Sequence, residues 1–336
     1  MDSVSMNIPD WIEQNLSPPI VTMSELIYDE IESQSGRYLP IIYQPFDINN
    51  RAHWRDRGSV FDFLYATGGG RLLDFGPGDG WPSLVVAPFV DKIVGVDSSE
   101  RRVRVCGENA TRLEISNAEF VHVTDGESLP FGDNSFDGIM AASSIEETLD
   151  INATLRELHR VLKPGGRMRI FYDSLKKYGG AELDVWPAGI DENHCRLLLE
   201  FRHIEKEEVT RYGLTVAAPR EKLINDIAGS GNELKAEMIT VSLLESLRDR
   251  ITDAGKSVLA HPSGATFVSW LQEVGFTEIH PTYSGADFTG RLFDVLPPDE
   301  RPGNLEAVDE YIREPVKVYV TLEAPVDSDP MITAVK

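Results

Sequence analysis

An apolar segment that runs into a glycine-rich turn constrains this chain more than any other feature. The segment is Leu72–Phe75, and the turn that follows it is Gly76–Gly80. A second apolar segment, Ile93–Val96, ends in the carboxylate of Asp97. In doubly wound α/β sheets, two buried parallel strands that end in such a turn and such an acid border the crevice for a nucleotide-type cofactor. The sequence therefore predicts a cofactor site at the carboxyl ends of a parallel sheet.

Strands and helices alternate from Arg71 onward, as in the βαβ units of a doubly wound sheet. The predicted strands are Arg71–Phe75, Lys92–Asp97, Ala118–Thr124, Phe136–Ala141 and Arg167–Tyr172. The predicted helices are Gly58–Tyr65, Pro82–Phe89, Ser99–Leu113 and Ile151–Val161, and a turn is predicted over Lys163–Gly166. The alternation returns near the C-terminus with a helix over Gly264–Val274 and strands over Thr277–Tyr283 and Val316–Leu322. This last pair of strands predicts an antiparallel edge that closes the sheet.

Changes in the alternation of strands and helices divide the chain into five segments. They are an N-terminal leader or lid (1–57), a cofactor-binding core (58–175), an insertion (176–258), the completion of the core sheet (259–325) and a loose tail (326–336). Two alternating runs in the insertion, Cys195–Ile204 and Glu208–Ala217, predict a long hairpin. We expect the insertion to interrupt a single sheet rather than to form a separate domain, and to serve as a substrate lid or as the contact of a homodimer.

The composition of the chain limits the kinds of partner that it is expected to bind. Its 55 acidic and 32 basic residues give a net charge of −23, which repels phosphate backbones and disfavours a nucleic-acid substrate. No apolar run approaches the ~20 residues that cross a bilayer, and the N-terminus lacks the pattern of a secretory signal. The two cysteines, Cys106 and Cys195, make no disulfide framework, so we expect a cytoplasmic protein without a membrane partner.

The residues around the glycine turn narrow the type of cofactor. The third glycine of the dinucleotide fingerprint Gly-x-Gly-x-x-Gly is replaced by Trp81, whose indole does not permit the close packing of helix on strand that this glycine provides. A nicotinamide dinucleotide is therefore disfavoured. No Gly-Lys-Ser/Thr follows the turn, which excludes a P-loop.

Four ordered motifs resemble those of class I S-adenosylmethionine-dependent methyltransferases, in particular the small-molecule type with a methyltransferase-11-like domain. Asp74-x-Gly76-x-Gly78-x-Gly80 is similar to the first motif of that family, and Val94–Asp97 is similar to its second strand. Asp125–Phe131 and Asp133–Asp137 resemble the third and fourth motifs, and Leu155–Gly166 resembles the segment that leads to the fifth strand. The resemblance covers about residues 60–175 and the pattern after residue 260.

The resemblance implies a Rossmann-like sheet of seven strands, mostly parallel with an antiparallel last strand, and S-adenosyl-L-methionine as the cofactor. It implies that Asp97 binds the ribose hydroxyls, that Asp125 accepts from the adenine amine, and that Asp74 lies near the methionine end. The residues implied for cofactor binding are Asp74, Phe75, Gly76, Pro77, Gly78, Asp97, Ser98, Asp125, Gly126, Glu127, Ala142 and Ser143.

Three residues are candidates for catalysis. Methyl transfer from a sulfonium is an in-line displacement, which needs alignment, desolvation and sometimes a base for the proton of the acceptor. Glu146 and Glu147 follow the fourth strand, where the resemblance places the methyl group, and His53 lies in the leader. The alternative for the two glutamates is that they begin a solvated helix. His194 and Cys195 are adjacent in a predicted strand and point to opposite faces, so no metal site is expected.

The expected activity is methyl transfer to a small-molecule acceptor that yields S-adenosyl-L-homocysteine, and the motifs do not name the acceptor atom. Ala141–Ser144 after the fourth strand differs from the Asn/Asp-Pro-Pro-aromatic motif that similar enzymes use on nucleobase amines. Two alternatives remain. One is a non-catalytic or regulatory protein that binds the cofactor, and the other is an aminopropyltransferase whose polyamine pairs with Glu146 and Glu147.

Overall fold

The chain folds into two compact units, which we call the core unit and the inserted unit. The core unit comprises Tyr38–Lys177 and Pro262–Lys336, and the inserted unit comprises Met1–Arg37 and Tyr178–His261. The computed structural model describes residues 6–31, 46–172, 175, 182–282, 284–321 and 331–336. None of the helices in these ranges combines the length and the apolar run that a bilayer crossing needs.

Helices and strands are numbered along the whole chain. The helices are α1 (Ile8–Leu16), α2 (Arg51–Thr67), α3 (Ser83–Val86), α4 (Glu100–Arg112), α5 (Ile151–Val161), α6 (Arg220–Ala228), α7 (Val241–Leu247), α8 (Gly264–Val274), α9 (Gly285–Val295) and α10 (Leu305–Thr321). The strands are β1 (Arg71–Phe75), β2 (Lys92–Asp97), β3 (Ala118–His122), β4 (Phe136–Ala142), β5 (Leu162–Phe171), β6 (Leu183–Gly189), β7 (Cys195–His203), β8 (Glu208–Val216), β9 (Ile251–Ala260), β10 (Thr277–Thr282) and β11 (Met331–Val335).

The core unit contains a seven-stranded sheet in the order β10-β11-β5-β4-β1-β2-β3. The pairs formed by β1 to β5 are parallel, and β11 is antiparallel to both β10 and β5. The doubly wound sheet with an antiparallel last strand is thus confirmed. β1 lies between β2 and β4, so the strand order reverses at the carboxyl end of β1, which is where such sheets bind their ligands.

The predicted elements from Arg71 to Val161 agree with the observed ones to within two residues at most ends. The helix predicted over Gly58–Tyr65 begins earlier, at Arg51, because the side chain of Asn50 caps it by accepting from the backbone N–H of Ala52. The turn predicted over Lys163–Gly166 is wrong. These residues belong to β5, where the pairing with β4 shifts register and Gly165 takes a φ of +74°.

The predicted C-terminal strand and tail are both wrong. The segment predicted as a strand over Val316–Leu322 belongs to α10 as far as Thr321, and residues 322–330 lie outside the described part of the chain. The buried residues of α10 recur every fourth position, at Val308, Ile312, Val316 and Val320, so the helical period outweighs the short alternation seen in the sequence. The last strand of the sheet, β11, lies inside the segment predicted to be a loose tail.

A buried ion pair in the core unit joins five of its elements. Arg169 of β5 donates from Nε to Oδ1 of Asp62 on α2 at 2.7 Å and from Nη2 to Oδ2 at 2.9 Å, and neither side chain is exposed. The Nη1 of Arg169 also donates to Thr282 of β10 and Thr333 of β11, at 2.8 and 2.7 Å. The backbone N–H of Gly285, at the start of α9, donates to the same carboxylate. This network satisfies the charges that folding takes out of water.

The inserted unit is built on an antiparallel sheet of its own, in the order β6-β7-β8-β9. The predicted hairpin is confirmed as β7 and β8. The insertion interrupts the core sheet between β5 and β10, as expected, but it belongs to a compact unit with its own sheet, so the expectation that it forms no separate domain is wrong. The predicted leader is also divided. Trp11 of α1 belongs to the apolar cluster of the inserted unit, whereas α2 belongs to the core unit.

The homodimer stays a prediction, but it does not form by pairing at the edges of the hairpin. β6 pairs with β7 and β9 pairs with β8, so both edges of the hairpin are occupied within the chain. Leu197, Leu199 and Leu214 of the hairpin are buried in one apolar cluster with Trp11 of α1 and Leu244 of α7.

Candidate functional site

The glycine turn begins where β1 ends. The N–H of Gly76 donates to the carbonyl of Val96 at 2.8 Å, and the N–H of Gly80 donates to the carbonyl of Pro77 at 2.8 Å. Gly76, Gly78 and Gly80 have φ values of +71°, +57° and +109°, in a region that side chains rarely permit. A Cβ on Gly76 would lie 2.4 Å from the Cβ of Ser144, which follows β4. The turn is therefore a concave backbone surface bordered by the ends of β1, β2 and β4.

Asp74 projects from β1 and is buried beneath this turn. Ser83 of α3 donates from its Oγ to Oδ2 of Asp74 at 2.5 Å. Among the described residues, the second carboxylate oxygen, Oδ1, is buried and has no hydrogen-bond partner. Burial raises the pKa of Asp74 to about 7, and the nearby charge of Asp97 acts in the same direction. One acceptor at the base of the turn is thus left for a ligand.

Asp97, at the end of β2, holds the turn from the other side. Its Oδ2 accepts from the N–H of Gly78 at 3.2 Å, and its Oδ1 accepts from the N–H of Ser99 at 3.0 Å. The pairing of β1 with β2 and β4 brings Phe75 opposite Val96 and Ala141, so Asp97 and Ala142 follow at the same edge. The structure therefore places the predicted ribose acid beside the glycine turn.

Helix α4 supports the turn with three residues that sequence reasoning missed. The guanidinium of Arg102 forms a buried ion pair with Asp79, the Sγ of Cys106 contacts the carbonyl of Gly78 at 3.0 Å, and the side-chain amide of Asn109 donates to the carbonyl of Asp79 at 2.7 Å. Their spacing of four and three residues places them on one face of the helix. That spacing, directly after the acid of the second strand, is the signal that could have found them.

The loop that the resemblance assigns to adenine follows β3. Asp125 is half-buried, its Oδ2 accepts from the N–H of Leu149 at 3.0 Å, and burial raises its pKa. Gly126 has a φ of +84° and an exposed backbone, and Glu127 is exposed. The loop is open to solvent on this side, and contact with adenine stays a prediction.

Arg160 and Glu157 of α5 position the far end of this loop. Arg160 donates to the carbonyls of Leu129 and Phe131 at 3.0 and 2.7 Å, and Glu157 accepts from the N–H of Leu129 at 2.9 Å. The ion pair between Arg160 and Glu157, at 2.7 Å, lowers the pKa of the glutamate. Helix α5 therefore determines the path of the backbone between Asp125 and β4.

The segment after β4 carries the two glutamates predicted to be catalytic. Ala142 is half-buried, and Ser143 is exposed with a φ of +50°. Ser144 donates from its Oγ to the carbonyl of Phe75 at 2.5 Å, which joins the ends of β4 and β1. Glu146 and Glu147 lie in the 3-10 turn Ile145–Glu147, and Glu146 is 4% exposed. The alternative of a solvated helix is thus wrong for Glu146.

His53 lies within α2 rather than before it. Its Nδ1 accepts a hydrogen bond from the backbone N–H of Asp47 at 2.8 Å, and its ring is 6.0 Å from that of Phe46. An imidazole whose Nδ1 accepts in this way carries its proton on Nε2 when neutral, so Nε2 is a donor. Its role in catalysis remains a sequence prediction.

In the described part of the chain, no group of three or more His, Cys, Asp or Glu side chains is placed to hold a metal ion. His194 instead bonds to Asp191 through Nδ1 at 3.0 Å, while burial raises the pKa of Cys195 to about 12.

The site fits the cationic, ribose-containing cofactor that the resemblance implies. The vacant oxygen of Asp74 can accept from an ammonium, Asp97 ends its strand where ribose hydroxyls lie in such sheets, and the glycine turn leaves room that a Cβ would fill. A dinucleotide or a P-loop ligand lacks this match, because neither fingerprint is present.

Comparison with known proteins supports this interpretation of the site. Residues 73–170 match the methyltransferase domain family. The uncharacterized methyltransferase YcgJ of Bacillus subtilis is 38% identical over 97 residues, which are 29% of this chain and 38% of that protein. The demethylmenaquinone methyltransferase of Staphylococcus saprophyticus is 34% identical over 145 residues, which are 42% of this chain and 60% of that protein.

Solved structures of similar fold include one that covers most of the chain. The methyltransferase CcbJ from Streptomyces caelestis superposes with a TM-score of 0.50 at 12% identity, over 93% of this chain and 97% of that one. At this identity the similarity shows the fold alone. The chain spans 38% and 60% of the length of the two curated relatives named above.

Proposed function

We propose that this chain is a class I methyltransferase that transfers a methyl group from S-adenosylmethionine to a small-molecule acceptor, and the match of residues 73–170 to the methyltransferase domain family supports this. The vacant, buried Oδ1 of Asp74 is the single observation that carries the proposal most directly. A buried acceptor without a partner costs free energy, and a site that binds a cation recovers that cost when it is occupied.

The residues of the chain have separate tasks in this proposal. Asp74 binds the amino group of the methionine end, Asp97 binds the ribose, and Asp125 with the backbone of Gly126 and Glu127 binds the adenine. The cofactor supplies a methyl group that its positively charged sulfur has already activated. Ser144 joins β4 to β1 and so keeps the 3-10 turn that carries Glu146 at the same edge of the sheet. Alignment and exclusion of water are then the main contributions of the protein.

Binding of the cofactor is expected to weaken as the pH falls through about 7. The raised pKa of Asp74 means that its carboxyl takes up a proton in this range, and the neutral form no longer attracts an ammonium. Titration of S-adenosylhomocysteine by calorimetry between pH 6 and pH 8, a range chosen around that pKa, measures the effect. In Asp74→Asn, the affinity should be lower at pH 8 and should no longer depend on pH. A wild-type affinity that is constant across this range contradicts the assignment.

Glu146→Gln is expected to lower kcat by roughly tenfold, because we propose that this buried carboxylate orients the acceptor or takes its proton. The affinity for S-adenosylhomocysteine should stay unchanged. Glu147→Gln is the matched control, since Glu147 lies in the same turn but is half-buried. Turnover that is unchanged in Glu146→Gln, or reduced equally in both variants, removes Glu146 from the mechanism.

A small-molecule acceptor is favoured by the net charge of −23, which opposes association with nucleic acid. Relatives include proteins named as demethylmenaquinone methyltransferases. That name describes the acceptor of those proteins and does not assign one to this chain. For this chain we propose only that the acceptor is a small organic molecule. No particular molecule is proposed.

Two measurements test the proposal against its alternatives. Calorimetry with S-adenosylmethionine and with its decarboxylated form distinguishes a methyltransferase from an aminopropyltransferase, which prefers the decarboxylated form. Transfer of a labelled methyl group to members of a metabolite panel then tests activity. Tight binding of S-adenosylmethionine without transfer to any member of a broad panel favours a regulatory protein instead.

A further inference from the structure

One face of the sheet in the inserted unit carries three arginines, Arg196, Arg202 and Arg211, which differ in the carboxylates that neutralise their charges. Arg202 and Arg211 flank Glu200, with distances of 2.7 Å from each guanidinium to the carboxylate, and Arg202 also reaches Asp184 at 3.0 Å. These charges lower the pKa of Glu200 in spite of its burial. This end of the face is thus a closed ionic network.

Arg196 lies on the same face but has no comparable partner. The residue is 6% exposed, and the one ion pair it forms with a described residue is a contact of 3.5 Å from Nη1 to Asp253, whose side chain is 65% exposed. Within the described ranges, the Nε of Arg196 is buried and has no hydrogen-bond partner. A buried guanidinium normally has its donors satisfied, because leaving a charged donor without an acceptor costs more than a neutral one.

A second vacant polar atom lies beside Arg196. The strand pairing places Thr215 of β8 directly opposite Arg196, and residues opposite each other in adjacent strands share one face. Thr215 is 8% exposed, and its Oγ1 likewise has no partner among the described residues. The next residue along β8 begins a register shift against β9, a feature that re-aims side chains near binding sites.

The surroundings of the pair are apolar on one side and open on the other. Ala188 of β6 lies opposite Arg196 and is fully buried, and the stem of Arg196 passes over Gly213, next to Leu26. Asp253 lies opposite Thr215 at the outer end of the same row. The row thus runs from a buried alanine to an exposed aspartate, and the two unpartnered polar atoms lie between them.

We propose that Arg196 and Thr215 form a binding site for the carboxylate of a small organic molecule. A carboxylate oxygen can accept from the Nε of Arg196 and from the hydroxyl of Thr215, which fills both vacancies with charge-assisted hydrogen bonds. The ligand displaces Asp253 from its long contact with Nη1 and enters from the exposed end of the row. The site belongs to the inserted unit alone, so the test of this site is independent of the test of methyl transfer.

Benzoate is a suitable probe, with benzamide as its neutral counterpart and inorganic phosphate as a different anion. In the full-length chain without cofactor, benzoate should raise the melting temperature in a saturable way, and benzamide should not. The apparent affinity for benzoate should fall by about tenfold or more in Arg196→Met and in Thr215→Val, in line with the loss of a charge-assisted hydrogen bond. Asp253→Asn should bind benzoate more tightly, because a competing carboxylate is removed.

The stability of the same variants separates a binding site from a structural ion pair. Arg196→Met and Thr215→Val remove vacant polar atoms, so neither should destabilise the free protein. Arg248→Met, in an exposed position of the same unit, is the control and should change neither stability nor benzoate binding. Unchanged benzoate binding in both variants, equal binding of phosphate through the same residues, or a large loss of stability in Arg196→Met each overturns the proposal.

Discussion

Arg169→Met is expected to lower the free energy of unfolding by about 3–5 kcal/mol, because it leaves the carboxylate of Asp62 buried without its partner. The loss spreads beyond one contact. Thr282 of β10 and Thr333 of β11 lose the same donor, so strands at one side of the sheet are affected together with α2. Urea denaturation followed by circular dichroism measures the change.

An exposed ion pair on the same helix is the matched control. Arg51 of α2 pairs with Asp294 at 2.9 Å, and both side chains are about half exposed. Arg51→Met should therefore change the free energy of unfolding much less than Arg169→Met does. If Arg169→Met does not fold, Arg169→Lys, which keeps the charge but not the planar fork, should fold with an intermediate loss. Equal losses in Arg51→Met and Arg169→Met contradict the central role of the buried pair.

Gly76→Ala is expected to weaken the binding of S-adenosylhomocysteine by about 100-fold or more. Two costs combine at this position. A φ of +71° is unfavourable for a residue with a Cβ by about 1–2 kcal/mol, and the new Cβ meets that of Ser144 at 2.4 Å. The clash forces apart the ends of β1 and β4, between which the proposed methionine site lies. Calorimetry with S-adenosylhomocysteine measures the change.

Gly165→Ala separates the two costs. Gly165 has a φ of +74°, and its Cβ would meet no atom within 4 Å. This variant should lose stability through the backbone alone and should bind S-adenosylhomocysteine as the wild type does. In Gly76→Ala, a second substitution of Ser144→Gly should restore part of the affinity because it removes the clash. Wild-type affinity in Gly76→Ala would refute the position proposed for the cofactor.

The elements that surround the cofactor site could be predicted because their signals are local. The glycine turn, the acid at the end of β2 and the boundaries of α5 all follow from residues within a few positions of each other. Asp74 was identified by its motif, but its vacant oxygen depends on Ser83 and on burial, which a motif does not contain.

The parts that could not be predicted depend on contacts between distant residues. Asp62 and Arg169 are 107 positions apart, and each alone resembles an ordinary surface charge. The run from Val316 to Val320 alternates like a strand, yet it is helical because Val308 and Ile312 continue the same buried stripe. In the inserted unit, β9 contains Asp253 and Gly255, which are poor strand formers, and pairing with β8 overrides this preference.

The position of β11 has a consequence for the order in which the protein is made. β10 joins the sheet through β11, and β11 separates it from β5. During synthesis, β1 to β5 can pair as soon as they leave the ribosome, but β10 has no neighbour until residues 331–335 have followed. Until then, one edge of β5 is exposed in the nascent core unit. This unpaired strand edge is the kind of surface that chaperones bind.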